Sequence, residues 1–486
     1  MTLLSRVPPQ RRWPITLAVL ALLAFLATCV VFAPGYMSND TIFQLRQAKG
    51  RIPLNDWHPP AMSLVWKALI KVTGTVASME VLQVLVLWAA LWVIAWEVWE
   101  ASASKAKSLA ILALGVTPHI LTFVGVIWKD VQMAFALLAV VAIAMLAKRE
   151  WAARPAWRWT LFALGTLFLA YAILVRKNAI FAAVPMFVLL VLALWGRPAR
   201  RVWVISVIAL VVGVLVPTVA ISAFAKPQKT SQVSQIMLDD LLHVLTPKQL
   251  AATHVSPDLR QHLVRAARSC ARTHSLSNSY WTCYREGAHG PFTSVAHSNE
   301  ITSLWIRQMS SHIPAYLSYR VDVFSQLLFN GNYFFQPGVK SNNLGVTLAH
   351  GRLEQALRTY VIGMHNDLPW LYSGWFWLLI GLVLAIRPGH GRYRLIVRTL
   401  SLSSVLYIIG YFPIMPAANY RYVYWSAIAG SLALVLLWAG RIRPGVVDGA
   451  NAEQPAEVGS ESEPDSDERT EPAHEDAAEE DAPATR

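Results

Sequence analysis

The sequence predicts an all-α polytopic membrane protein of about ten transmembrane helices with a helical external segment. Three observations predict it. The 486-residue chain is 55% hydrophobic and only 15% charged, with a mean hydropathy of +0.41. Its apolar residues come in blocks of about 20, the length that crosses a bilayer. Lys and Arg crowd alternate short loops, as they do on the cytoplasmic side of membrane proteins.

Ten blocks qualify: 13–32, 79–99, 108–127, 131–147, 159–175, 179–195, 202–223, 369–386, 396–412 and 423–438. The first is not a cleaved signal peptide, because no small-residue cleavage pattern follows it. Ten spans put both ends on one side. That side holds Arg6, Arg11, Arg12, Lys105, Lys107, Lys148, Arg149, Arg154, Arg158, Arg197, Arg200, Arg201, Arg387, Arg392, Arg394, Arg398, Arg441 and Arg443. The short loops opposite hold Lys129, Arg176, Lys177 and Arg421. Both termini are therefore expected in the cytoplasm.

The division that follows is 1–223 for the N-terminal transmembrane helices, with a first external loop at 33–78. Residues 224–368 form the external segment and 369–440 the C-terminal transmembrane helices. Residues 441–486 form a disordered acidic tail. The formal charge of +13 hides this asymmetry. Residues 446–486 carry 14 acidic and two basic residues, a net of −12, so the rest carries 13 + 12 = +25. The cytoplasmic loops account for most of that surplus, so nucleic acid is not implied as a partner. The tail has no aromatic residue and cannot bury a core. Cys29 lies in the first span and reads as packing. Cys270 and Cys283, both external, can pair in an oxidising compartment or remain buried thiols.

In the first loop, Asn39, Asp40 or Thr41 can cap a helix running to about Lys49, and Thr41 with Gln44 fits a capping box. Pro59 and Pro60 suit the first turn of a second helix ending at Gly74. Met62, Val65, Trp66 and Leu69 fall on one face of it, the pattern of a helix lying at the membrane surface. In the external segment, 238–274 reads as short helices broken at Pro247 and Pro257. The stretch from Asn299 to Phe329 reads as two helices broken near Pro314. "SLSNSYWTCYREGAHGPF" and "NGNYFFQPGVKSNN" read as loops.

The chemistry-bearing candidates are the charges at the external membrane boundary, where they break the charge rule. "VIWKDVQM" supplies Lys129 and Asp130, "LVRKNAIF" supplies Arg176, Lys177 and Asn178, and "PIMPAANYRYVYW" supplies Arg421. Asp40, Asp56 and His58 belong to the same face. Ionisable groups there are costly unless they face protein, water or a ligand. A carboxylate can serve as general base toward a hydroxyl, and Arg and Lys can hold a phosphate leaving group. Trp57, Trp281, Tyr420, Tyr422 and Trp425 can stack on a sugar. Each has a plainer reading. Asp40 as a cap, Asp56 paired with a base, His58 as a turn residue, Lys129 with Asp130 as a local ion pair, and Arg176, Lys177 and Arg421 as interfacial anchors. A divalent metal is compatible with the carboxylates, but His254, His262, His274, His289, His297 and His312 show no ligand spacing.

The layout resembles the bacterial polyprenyl-phosphate-dependent glycosyltransferases of the GT-C fold, among them relatives of protein O-mannosyltransferases and of the aminoarabinose transferase of lipid A. The resemblance rests on Asp40 in "YMSND" shortly after the first span, on the His-Pro-Pro of "NDWHPP", and on "WKD", "VRKN" and "NYRY" in the later loops. It implies a GT-C-like fold in the bacterial inner membrane, a polyprenyl-phosphate-linked sugar donor, surrounding membrane lipids and an extracytoplasmic acceptor. It implies that Asp40 is the catalytic base, and that Asp56, His58, Lys129, Asp130, Arg176, Lys177 and Arg421 are substrate-binding. The class often shows two adjacent acids where this chain has Asn39-Asp40, which puts metal dependence in doubt. The competing readings are a polytopic transporter or lipid flippase, an O-antigen polymerase or ligase, and a non-enzymatic scaffold. No internal repeat of the kind transporters carry is visible.

Overall fold

The computed structural model describes residues 9–147, 149–284, 295–331 and 333–441. His289 and the acidic tail lie outside them. Among the described residues every regular element is helical, and strand-like pairing is limited to isolated bridges.

The chain opens with α1 (Pro9–Phe32), α2 (Asn39–Ala48), α3 (Pro60–Thr73) and α4 (Ser78–Ser102). The first-loop helices stand where the Pro and Gly punctuation puts them. Gly74 closes α3 at φ 73°, a left-handed cap that glycine takes without a Cβ clash. Met62 and Trp66 of its apolar face are buried, and Lys67 is exposed. The cap of α2 differs from expectation. Ser38 is the N-cap and shares a capping box with Thr41, so Asp40 lies inside the first turn with its carboxylate released from capping.

The third expected span, 108–127, is not one helix. It breaks into α5 (Lys105–Ala113), a 3₁₀ turn at Leu114–Val116 and α6 (Pro118–Leu121). The cause is local. Pro118 cannot continue a helix already under way, and it holds Thr117 extended. After it come α7 (Lys129–Leu146), α8 (Pro155–Val175), α9 (Ile180–Trp195) and α10 (Arg200–Ala220), the last continued by a π turn at Ile221–Ala225.

Six helices are long and apolar enough to cross a membrane: Arg12–Phe32, Ser78–Ser102, Lys129–Leu146, Pro155–Val175, Lys177–Trp195 and Arg200–Ala225. The shorter apolar helices α18 (Gly374–Ile386) and α20 (Tyr424–Ala439) accompany them, with α19 (Arg394–Ile409) packed between. The chain is a multi-pass membrane protein. Helix α7 is the centre of the bundle, covered by α4, α8, α9 and α20. Helix α10 packs on α8 and leaves most of its apolar surface uncovered. A helix apolar all round and uncovered needs lipid against it.

Residues 224–368 build α11 (Gln232–Val244), α12 (Pro247–Ala251), α13 (Pro257–Thr273), α14 (Ser279–Thr282), α15 (Val295–Ser311), α16 (Ile313–Phe329) and α17 (Gly351–Asp367). Breaks fall at Pro247, Pro257 and next to Pro314. Helix α17 has no counterpart in the sequence reading. This segment has its own hydrophobic cluster, around Leu238, Leu241, Leu259, Leu263 and Ile301, separate from that of the bundle. Cys270 and Cys283 are joined by a disulfide within it.

Candidate active site

Two short backbone pairings place the site. Tyr36 N–H donates to Gly125 O and Ile127 N–H to Tyr36 O, while Met37 N–H donates to Gly338 O and Lys340 N–H to Met37 O. The turn after α1 is thus held between the segment leading into α7 and the loop after α16. Thr41 Oγ1 donates to Ile127 O at 2.8 Å, and Trp128 Nε1 donates to Ser38 Oγ at 2.8 Å. The cap of α2 and the residue before α7 are therefore one hydrogen-bonded unit. Asp40 and Lys129 lie just beyond it.

Asp40 Oδ2 accepts from Arg421 Nη1 at 2.8 Å. Its side chain keeps 32% exposure, against 16% for Arg421. Arg421 donates also to Tyr422 OH at 3.2 Å. Its guanidinium lies 5.2 Å from the Trp128 ring and 5.1 Å from that of Tyr422. Its Nε is buried and has no hydrogen-bond partner among the described residues. Such a donor is costly to leave empty. Burial works against ionisation of Asp40, but Arg421 outweighs it, with His58 and Lys129 adding to the effect. The carboxyl stays well below its usual range.

His58 is buried, with Nδ1 3.2 Å from Lys129 Nζ. With Lys129 protonated, Nδ1 accepts and Nε2 carries the proton. That Nε2 faces Asp40 Oδ1 at 3.9 Å, beyond hydrogen-bond reach. Burial, then the Lys129 charge, pushes the imidazole down to about 3, so it is neutral at pH 7.

A second acid–base pair adjoins the first. Asp130 is 1% exposed and 3.2 Å from Arg176 Nε. That N–H is aimed at Asn178 Oδ1 at 2.9 Å, and Nη2 donates to Tyr411 OH at 2.7 Å. Neither Asp130 oxygen accepts a hydrogen bond among the described residues, so the pair is held by charge. Tyr411 bonds Tyr407 OH at 3.0 Å and stacks on Tyr422, whose ring also lies 5.0 Å from Arg176. Tyr422 is thus shared by both arginines.

Asp40, His58, Lys129, Asp130, Arg176 and Arg421 come together. Asp56 does not join them by any bond: its Oδ1 accepts from Thr230 N–H at 2.7 Å and Thr230 Oγ1 at 2.6 Å, tying the first loop to the chain after α10. Lys177 is exposed one residue past Arg176. Of the proposed sugar platforms, Trp425 and Tyr420 are buried and bonded to Ser403 Oγ and His119 O, so neither presents a free face. Trp57 lies 6.1 Å from Tyr280, and Trp281 is half exposed.

Residues missed from the sequence are Ser38, Trp128, Tyr333, Tyr407 and Tyr411. Tyr333 is exposed, stacks on Trp128 at 5.8 Å and takes a left-handed φ of 53°. It gives the site an open aromatic wall. Two signals were available: Trp128 precedes Lys129 directly, and Tyr407 with Tyr411 is an i,i+4 pair at a span's end, where aromatic belts lie. As for metal ligands, His243, Cys270 and Cys283 cluster, but both sulfurs are in the disulfide and offer no thiolate.

This is a helical multi-pass membrane protein with a charged, aromatic-walled site at the ends of α2, α7 and α20. No family model matches the chain, and no curated protein matches it. Among solved structures it is similar to the crystal structure of ArnT from Cupriavidus metallidurans bound to undecaprenyl phosphate. The likeness covers 87% of this chain and 78% of that one, at 13% sequence identity and a TM-score of 0.34. At that level no residue role crosses from one chain to the other.

Proposed function

We propose that the chain is an integral membrane glycosyltransferase that moves a sugar from a polyprenyl-phosphate donor to an extracytoplasmic acceptor. The observation that carries this reading is Asp40: an ionised, partly exposed carboxylate on a guanidinium whose Nε has no partner among the described residues. In the proposed arrangement ten crossings, one of them the broken α5–α6 segment, place the site on the external face, with both termini cytoplasmic in a bacterial inner membrane. The basic residues gathered on the opposite face support that orientation.

In the reaction Asp40 takes the proton of an acceptor hydroxyl as its oxygen bonds the anomeric carbon. The bond from that carbon to the donor phosphate breaks, and the lipid phosphate leaves with the electron pair. Arg421 and Lys129 stabilise it. A carboxylate held so far down is a weak base, which gives the arginine a second role. When the donor's phosphate draws Arg421 away, Asp40 loses its main stabilising partner and becomes more basic. The base is therefore strengthened only when donor is bound. Arg176, bracketed by Tyr411 and Tyr422, supports Arg421 through the shared ring. Asp56 and Lys177 frame the mouth of the site. Asp40 and Asp130 each already face a guanidinium, so arginine supplies the charge that a cation otherwise would.

The test is loss of a product. Cells lacking the protein are complemented with wild type or with Asp40→Asn, and their cell-envelope glycans, lipids and proteins are compared by mass spectrometry. A sugar modification restored by wild type and absent with the variant is expected. Restoration by both would overturn the role of Asp40. A lipid flippase is favoured by one feature, the broken α5–α6 segment with His119 buried beside Ser431. That reading predicts transbilayer movement of a lipid-linked sugar in vesicles without transfer.

A further inference from the structure

Helix α13 carries more positive charge than its surroundings balance. It buries Leu259, Leu263, Ala266, Ala267 and Cys270 on one side. On the opposite side Arg260, Arg265, Arg268 and Arg272, with Pro247 and Ala251 at the α12 end, line an open groove of about 980 Å³. Among the described residues no acidic side chain lines it. Among the described residues none of the four arginines is in an ion pair. The neighbouring acid, Asp258, instead faces His262 and His297, each at 3.4 Å. Like charges at i,i+3 and i,i+4 destabilise a helix by a few tenths of a kcal/mol per pair, so the row is unfavourable for the helix by itself.

What keeps the row in place is the other face of α13. Its apolar side is packed, and Cys270 is bonded to Cys283. The groove is therefore a fixed surface. Arg260 to Arg272 spans about 18 Å at 1.5 Å per residue, enough for several anionic groups in sequence. Guanidinium forks match carboxylate and phosphate. A membrane-surface helix would flank its basic residues with large apolar ones that enter the bilayer. Here the lining has Val264 and small residues, and the surface is concave. Both features favour a threaded chain over a bilayer.

We propose that this groove binds a linear anionic glycan, with carboxylate or phosphate groups on successive units, and that this is the class of acceptor the enzyme glycosylates. The second clause rests on the transferase reading above. The segment is tied to the loop that carries Arg421, since Asn278 N–H donates to Pro416 O at 2.9 Å and Arg320 Nη1 to Met415 O at 3.3 Å. Glycan held on α13 is thereby kept on the part of the molecule that positions Arg421.

The test uses full-length protein in detergent and fluorescently labelled polygalacturonate, with neutral dextran and phosphatidylglycerol vesicles as comparators. Wild type should bind polygalacturonate, weaken as salt rises, and ignore dextran. R265E/R268E should lose at least tenfold in affinity while keeping its melting temperature and its disulfide. R265Q/R268Q should fall in between. Unchanged binding by the charge-reversed variant would overturn the proposal, as would equal binding of dextran. Vesicle binding that depends on these arginines, without polygalacturonate binding, would assign the groove to lipid and also overturn it. The assay needs no turnover. Lost transfer in Asp40→Asn with intact polygalacturonate binding supports both readings. Normal transfer in Asp40→Asn removes the transferase role of Asp40 and leaves the groove standing.

Discussion

The site contains two carboxylate–guanidinium pairs that differ in access. Asp40 with Arg421 is open: a third of the acid's side chain is exposed, and among the described residues the arginine has an unused donor. Asp130 with Arg176 is sealed, with the acid 1% exposed and the arginine bracketed by tyrosines. The open pair can exchange partners with a ligand at low cost. The sealed pair cannot, because separating it strands a buried charge. Identical charges therefore do different jobs, and burial decides which.

The largest expected effect is on the open pair. Asp40→Asn should lower turnover by about 10²–10⁴-fold, the range for losing general-base catalysis. Because Ser38 is the cap, Asp40→Ala should be equally inactive and nearly as stable as Asp40→Asn. Thermal melting in detergent checks this, and a clear drop for Ala alone would restore the capping role.

Next comes the sealed pair. Asp130→Asn leaves Arg176 uncompensated and should cost about 3–5 kcal/mol of stability, read as lower yield and a lower melting temperature. If Asp130→Asn melts normally while Asp40→Asn collapses, the contrast between the pairs is reversed.

Arg421→Lys keeps the charge but replaces the planar fork, whose separate nitrogens reach Asp40 and Tyr422, with a single ammonium. Apparent donor affinity should weaken about tenfold. An unchanged value would mean that Arg421 serves the loop rather than the ligand.

The smallest effect is on pH dependence. The His58 imidazole takes a proton near pH 6.5 when unfolded but only at about 3 when folded. Between those values the unfolded chain binds the extra proton, so stability rises with pH by up to about 1.4 kcal/mol per unit and is lost on acidification. The depressed Asp40 carboxyl has the same sign, lost as pH falls below its ordinary value of 3.8. His58→Asn should flatten the profile between pH 4 and 6. An unaltered slope would assign acid sensitivity elsewhere.

Much of the open pair was legible because its charges violate the distribution of Lys and Arg across short loops. Lys129 and Arg421 were found that way, whereas Asp40 and His58 were singled out by their place shortly after the first span. Asp56 shares the same short string, yet its partner Thr230 lies 174 residues on, and no local pattern announces a pairing at that range. Tyr411 is likewise 235 residues from Arg176. The true cap was hidden for another reason. The box uses Thr41 where the usual signature has Glu or Gln. The third span looked continuous because apolar content does not register the stop that Pro118 imposes.

The Asp40–Arg421 contact joins residues 381 apart in the chain. At about 5–20 residues per second of synthesis, the acid waits roughly 20–75 seconds for its partner. Met37 waits nearly as long for Gly338 and Lys340. During that interval α2 exists without the loop that carries Arg421, so a chain that stops short of the last helix carries Asp40 with no guanidinium beside it. Assembly of the charged cluster is thereby made a property of finished molecules, and termination before residue 421 leaves Asp40 without its guanidinium.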